Sequence, residues 1–185
     1  IEIFEECARI NGLIENSNKA EARSLVINLL DKLQREQIEY TPLVNHLIRE
    51  VGLYPYIDCS TALWEDQVVV EAFKANVGEE KPVTLHSAQS RVLKRLLAGD
   101  NIAVSAPTSF GKSFIIDAFI SIRKPDNVVI IVPTIALADE TRRRIEHKFS
   151  GTYNIITTTD ATLRERNILI LPLERSFFFI DKLVS

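Results

Sequence analysis

The residues with the sharpest chemistry are consecutive. Ala106-Pro107-Thr108-Ser109-Phe110-Gly111-Lys112-Ser113 ends in a glycine, a lysine and a hydroxyl. This is the pattern of a phosphate-cradling loop, with Ala106 in place of its first glycine. In such a loop the backbone N–H groups, and those of the helix that follows, point at phosphate oxygens. Gly111 permits close backbone approach, Lys112 reaches the β- and γ-phosphates, and the Ser113 hydroxyl ligates Mg²⁺. A second candidate lies near the other end of the sequence. The apolar run 177–180 ends in Asp181, as a buried strand does when it delivers one carboxylate to hold a metal through water. A lysine opening an ordinary helix would look much like Lys112 in isolation. The neighbouring elements separate the two readings.

Those elements form a parallel α/β pattern. Short β-branched runs at 102–105, 128–132, 154–157, 168–171 and 177–180 predict strands. Helical spacing predicts helices over 87–98, 112–122 and 135–149. Continuous apolar strands separated by helices indicate a parallel sheet covered on both faces. The phosphate loop then joins the strand 102–105 to a helix. Before residue 84 the pattern is helical. Asn18 with Glu21 resembles a capping box, and Ala22, Leu25, Val26, Leu29, Leu30 and Leu33 form one stripe behind it. Thr41-Pro42 is another helix start, ended by Gly52. Residues 62–75 predict a further helix, and 77–83 a polar linker. The expected division is a helical region over 1–80 and an α/β domain over 81–185.

Composition sets the bounds. With 185 residues, 46% hydrophobic and 25% charged, the chain is globular in type. No apolar run approaches the roughly 20 residues of a membrane helix, so no membrane partner is expected, and no secretion signal opens the sequence. Cys7 and Cys59 lack the spacing of a zinc or redox pair; they read as free thiols in a reducing compartment, cytoplasmic or nucleoid-associated. Residues 1–100 carry 11 Lys/Arg against 16 Asp/Glu, and residues 101–185 carry 11 against 9. A nucleic-acid track needs only one basic face, so the net charge of −3 does not exclude one. The chain has no methionine and begins inside a helical pattern. It is therefore expected to be a piece of a longer protein.

The run from Ala106 to Ser113 closely resembles motif I of superfamily-2 helicases of the DEAD/DEAH type, in the variant of the repair- and exosome-helicase branch. The resemblance covers residues 84–181 and implies a RecA-like lobe that takes ATP and Mg²⁺. Leu85-His86-Ser87-Ala88-Gln89 is similar to the segment whose glutamine reads adenine. An amide can serve the N6 donor and N7 acceptor together, so Gln89 would favour ATP over GTP. His86 is read as incidental. Pro133-Thr134-Ile135-Ala136-Leu137 is similar to motif Ia, which implies that Thr134 and the helix behind it contact the sugar–phosphate backbone. Ile135 stands where the family often has arginine. Arg142, Arg143 and Arg144 either extend a phosphate track or form a solvated face. Thr157-Thr158-Thr159-Asp160 reads as a strand-contacting loop, with Thr158 its candidate contact, or as a helix cap. Pro172-Leu173-Glu174-Arg175 resembles the family's Thr-Pro-Glu-Arg motif imperfectly, and Arg175 is its candidate phosphate contact.

The acidic motif departs from the family. Glutamate normally follows the aspartate, whereas Lys182 follows Asp181. Only Ser176 separates Arg175 from the phenylalanine run, yet a crossover between parallel strands takes about ten or more residues. Residues missing around Ser176 and Asp181 would explain both departures. Lys112 and Asp181 are thus the expected catalytic pair, and Ser113 and Asp181 the metal pair. Gln89 and every residue from Ala106 to Ser113 are the expected nucleotide contacts. Thr134, Thr158 and Arg175 are the expected contacts to single-stranded or duplex DNA, or to RNA. The resemblance implies a second lobe supplying an arginine finger, without which ATP is bound but hydrolysed poorly. Two alternatives stay open: a nucleotide-dependent binding module inactivated at Lys182, and an unrelated loop ATPase. The N-terminal helices either bury leucine stripes or dock a protein partner.

Overall fold

The computed structural model of the protein describes residues 2–158 and 161–176. Its contacts divide the chain into two compact units. One holds the residues up to Ala75 with Pro82–Lys112. The other holds Asn76–Lys81 with the residues from Ser113 onward.

The first unit is built on α1 (Glu2–Glu15), α2 (Lys19–Glu36), α3 (Pro42–Glu50), α4 (Trp64–Ala72) and α5 (Ser87–Leu97). Its helices start where capping chemistry places them. The Asn18 side chain accepts from the Glu21 N–H at 3.5 Å, and Thr41 Oγ1 accepts from the Val44 N–H at 3.4 Å with Pro42 in the first turn. Four of the helices end alike. The N–H two residues past the last turn returns to a carbonyl five residues back: Asn18 to Leu13 (2.9 Å), Ile38 to Leu33 (2.9 Å), Leu53 to Ile48 (3.0 Å) and Asp100 to Arg95 (3.1 Å). This Schellman closure needs a left-handed residue at the bend. Gly52 and Gly99 supply it at φ +74° and +93°, but so do Ser17 at +61° and Gln37 at +55°. The stripe of α2 buries Val26, Leu29 and Leu33 against Ile10 of α1 and Leu47 and Ile48 of α3.

The helix expected over 62–75 stops at Ala72, because Lys74–Ala75 (β1) finds an antiparallel partner in Val83–Thr84 (β2). A backbone bond from Ser87 N to Gly52 O (3.2 Å) ties α5 to the end of α3. A Cβ on Gly52 would lie 2.1 Å from Ser87 Oγ, so this approach requires glycine.

The second unit carries the parallel sheet. Its strands are β3 (Asn127–Val132), β4 (Asn154–Ile156) and β5 (Asn167–Pro172), in the order β3-β5-β4. All six residues of β5 are buried, as a central strand's continuous apolar run requires. Helices α6 (Lys112–Arg123) and α7 (Ile135–Phe149) meet one face of the sheet, where Ile120, Ala138, Ile145 and Phe149 pack with Ile168 and Ile170. Between them lies a buried ion cluster. Asp117 pairs with Arg144 and with Lys148 (3.0 Å), and Lys148 also reaches Glu79 at 2.8 Å. Burial opposes the charge on Lys148, but its bonds to Glu79 and Asp117 outweigh that, and its pKa rises.

One expected strand is corrected. Residues 102–105 have no ladder among the described residues. Their β-branched composition suits a pleated surface, but a propensity becomes a strand only beside a hydrogen-bonding neighbour. The strand expected at 177–180 lies outside the described residues.

Candidate nucleotide site and nucleic-acid face

The phosphate loop has local geometry of its own. Thr108–Phe110 makes one 3₁₀ turn, closed by the Phe110 N–H on the Pro107 carbonyl (3.1 Å). Gly111 then reverses hand at φ +74°, ψ +39°, and Lys112 opens α6. Right-handed residues followed by a left-handed one turn successive N–H groups toward a common point, the geometry of an anion nest. The dipole of α6 adds to it. Only glycine takes that φ without strain. The ammonium of Lys112 lies across the loop on the carbonyls of Ala106 (2.7 Å) and Pro107 (2.9 Å). It is thus held within reach of whatever the loop binds. Ser113 is exposed in the first turn of α6, and its hydroxyl is of a type that can ligate Mg²⁺. The loop fits a nucleoside triphosphate with Mg²⁺. Asp181, the second expected metal ligand and catalytic residue, lies outside the described residues, as does Lys182. Among the described residues no cluster of three His, Cys, Asp or Glu forms a metal cage.

Gln89 is joined to this loop directly. Its Nε2 donates to the Phe110 carbonyl at 2.8 Å, and its Oε1 accepts from the His86 N–H at 2.8 Å. The side chain is only 5% exposed. Both ends of the amide therefore hold protein first. One N–H and one lone pair remain for a base. His86, read as incidental in the sequence, has surroundings that the sequence reading did not give. It caps α5, and its ring is tilted at 5.8 Å from Tyr56. Its Nδ1 is buried without a partner among the described residues. Burial, reinforced by the Arg23 charge, pushes its pKa below the usual imidazole value. The available signal was the three-residue spacing to Gln89, which is that of a capping box.

The expected backbone-contacting residues lie in the second unit. Thr134 caps α7, its Oγ1 accepting from the Leu137 N–H at 3.2 Å. Thr158 and Arg175 line one cavity of about 180 Å³ together with Ile135, Ala138 and Arg142 of α7. The end of β5 and the first turns of α7 thus bring Thr158 and Arg175 together, with Thr134 beside them in sequence. Thr159 and Asp160 lie outside the described residues.

The three consecutive arginines do not form a track. Arg142 is spent on Asp139 (2.8 Å) and Glu146 (2.7 Å), and Arg143 on Asp139 (2.6 Å). Arg144 turns inward to Asp117. A helix places residues three and four apart on one face, so the helix's own carboxylates claim the first two arginines. The bonds from Arg142 and Arg143 hold the Asp139 carboxyl below its usual range.

Comparison with known proteins agrees with this layout. Residues 1–67 match the family described as the N-terminal domain of anti-bacteriophage protein B. Residues 86–176 match the DEAD/DEAH box helicase family. Anti-bacteriophage protein B of Escherichia coli (strain K12) is 35% identical over 156 residues, which is 83% of this chain and 21% of that protein. The chain therefore spans about a fifth of that relative's length. None of its described helices is long and apolar enough to cross a membrane. The parallel sheet and the family match coincide: residues 86–176 form a DEAD/DEAH box helicase domain of superfamily 2, RecA-like in type, and a helical region precedes it in sequence.

Proposed function

We propose that the chain is the N-terminal part of an ATP-dependent helicase or translocase acting on nucleic acid. The observation that carries this reading is the loop itself: Gly111 left-handed, Lys112 held over the loop carbonyls, and Gln89 bonded to Phe110. ATP would lie with its phosphates on the N–H groups from Thr108 to Ser113. Lys112 would neutralise the β- and γ-phosphates, and Ser113 with Asp181 would hold Mg²⁺. Thr134, Thr158 and Arg175 would grip the sugar–phosphate backbone without reading bases, which suits DNA or RNA alike. The relative's name supports a role in defence against bacteriophage, because the similarity spans both the helical region and the helicase domain.

In the full-length protein, Lys112→Ala should abolish ATP binding and nucleic-acid-stimulated hydrolysis while circular dichroism stays unchanged. The same variant should lose protection in a phage plaque assay. Nucleotide affinity that survives the substitution would remove the central claim. A second reading has one observation behind it, Lys182 in the place where the family carries glutamate. On that reading the protein binds ATP without turning it over, and steady hydrolysis by the wild type would exclude it.

A further inference from the structure

A second cavity, of about 330 Å³, opens within the first unit, and Ser109 of the phosphate loop forms part of its wall. Opposite Ser109 stands a face of α2. Arg23, Ile27 and Gln34 lie on it at spacings that share one side of a helix. The adjoining side of the same helix is the leucine stripe in the core, so α2 buries one face and turns a more polar one to the cavity. Tyr56 and His86 line the cavity as well, with Tyr40 and the apolar Leu30 and Leu53. The Tyr56 and His86 rings are tilted by 32°, and Tyr56 keeps 53% of its surface exposed. The Arg23 guanidinium is half-buried here and donates to the Val51 carbonyl at 3.1 Å. Asp31 adds a carboxylate at the rim.

We infer that this cavity receives the base of the nucleotide whose phosphates lie on the 106–113 loop, so that the N-terminal region forms a wall of the nucleotide site. The inference rests on the reading of that loop as a triphosphate site. The chemistry fits a purine. An exposed aromatic face offers stacking, Arg23 offers a donor to a ring nitrogen, and the Gln34 amide offers an acceptor to an exocyclic amine, while Asp31 is already paired with Arg35. Size fits as well, since small-molecule pockets start at about 300 Å³. Gln89 keeps one N–H and one lone pair beyond its bonds to Phe110 and His86, so it shares the reading of the base with this cavity.

The test compares ATP with inorganic triphosphate by calorimetry on the full-length protein. Inorganic triphosphate reports the loop, and the difference between the two ligands reports the base. Tyr56→Ala and Gln34→Ala should each weaken ATP about tenfold and leave inorganic triphosphate unchanged. Gln34 is exposed on α2, outside the core, so its variant keeps the test open should Tyr56→Ala disturb the fold. An unchanged ratio of the two affinities in both variants overturns the inference, and so does an equal loss for both ligands. Lys112→Ala, measured in parallel, keeps the two claims apart. If it abolishes both ligands while the Tyr56 and Gln34 variants match wild type, the base pocket fails and the loop stands. If it abolishes neither, the loop reading has failed.

Discussion

Arg175, just past the end of β5, lines the cavity beside Thr158 and Arg142. A phosphate contact contributes affinity through counterion release, whatever the base sequence. Arg175→Ala in the full-length protein should therefore weaken DNA or RNA binding about equally across sequences. It should also reduce the slope of log affinity against log salt by about 1. A slope equal to wild type would place the nucleic acid elsewhere. Residue types alone put this charge just past a strand because the apolar run before it is plain in sequence. They also gave the bend at Gly111, where the backbone turns left-handed just before α6. They left Arg142 to Arg144 open between a phosphate track and a solvated face, because which carboxylate claims an arginine depends on helical phase and on Asp117, twenty-odd positions away. They could not show the surroundings of His86, because Tyr56 and Arg23 come from distant parts of the chain.

At the level of the element, helix starts were legible and some helix ends were not. Asn18 and Thr41 carry their caps in their side chains, so the sequence announces them. Gly52 announces a left-handed bend, but Ser17 and Gln37 make the same bend without the residue that signals it. A left-handed non-glycine costs about 1 kcal/mol. Gln37→Gly should therefore raise stability by about 0.5–1 kcal/mol, offset in part by glycine's greater freedom when unfolded. A urea midpoint that moves down would show that the Gln37 side chain makes a contribution beyond its backbone. The strand expected at 102–105 failed for a complementary reason. Alternation and branching describe a surface that a strand could use, and the ladder partner is a property of the fold. The continuous apolar run of β5 was legible because burial on both faces leaves no choice of register or face.

On the scale of the whole molecule, the polar run after Ala75 is not a spacer. Gly78 has φ +79°, and a Cβ there would meet two Phe149 ring atoms at 2.8 Å. Glu79 reaches the buried Lys148 at 2.8 Å. Residues 76–81 thus hold the second unit, although they precede α5 in sequence. Gly78→Ala adds backbone strain to a steric clash, and should cost the second unit about 2 kcal/mol or more. Hydrogen exchange would separate the units: β5 amides should lose protection, while those in the centre of α2 keep theirs. Equal loss in both would mean that the units unfold together. The same interleaving fixes an order of events during synthesis. The first unit cannot be completed until Lys112 has left the ribosome, and by then Asn76–Lys81 is already out but without the helix it packs on. That short strap must wait for α7, some seventy residues later, so the second unit is closed by a segment made long before its partner.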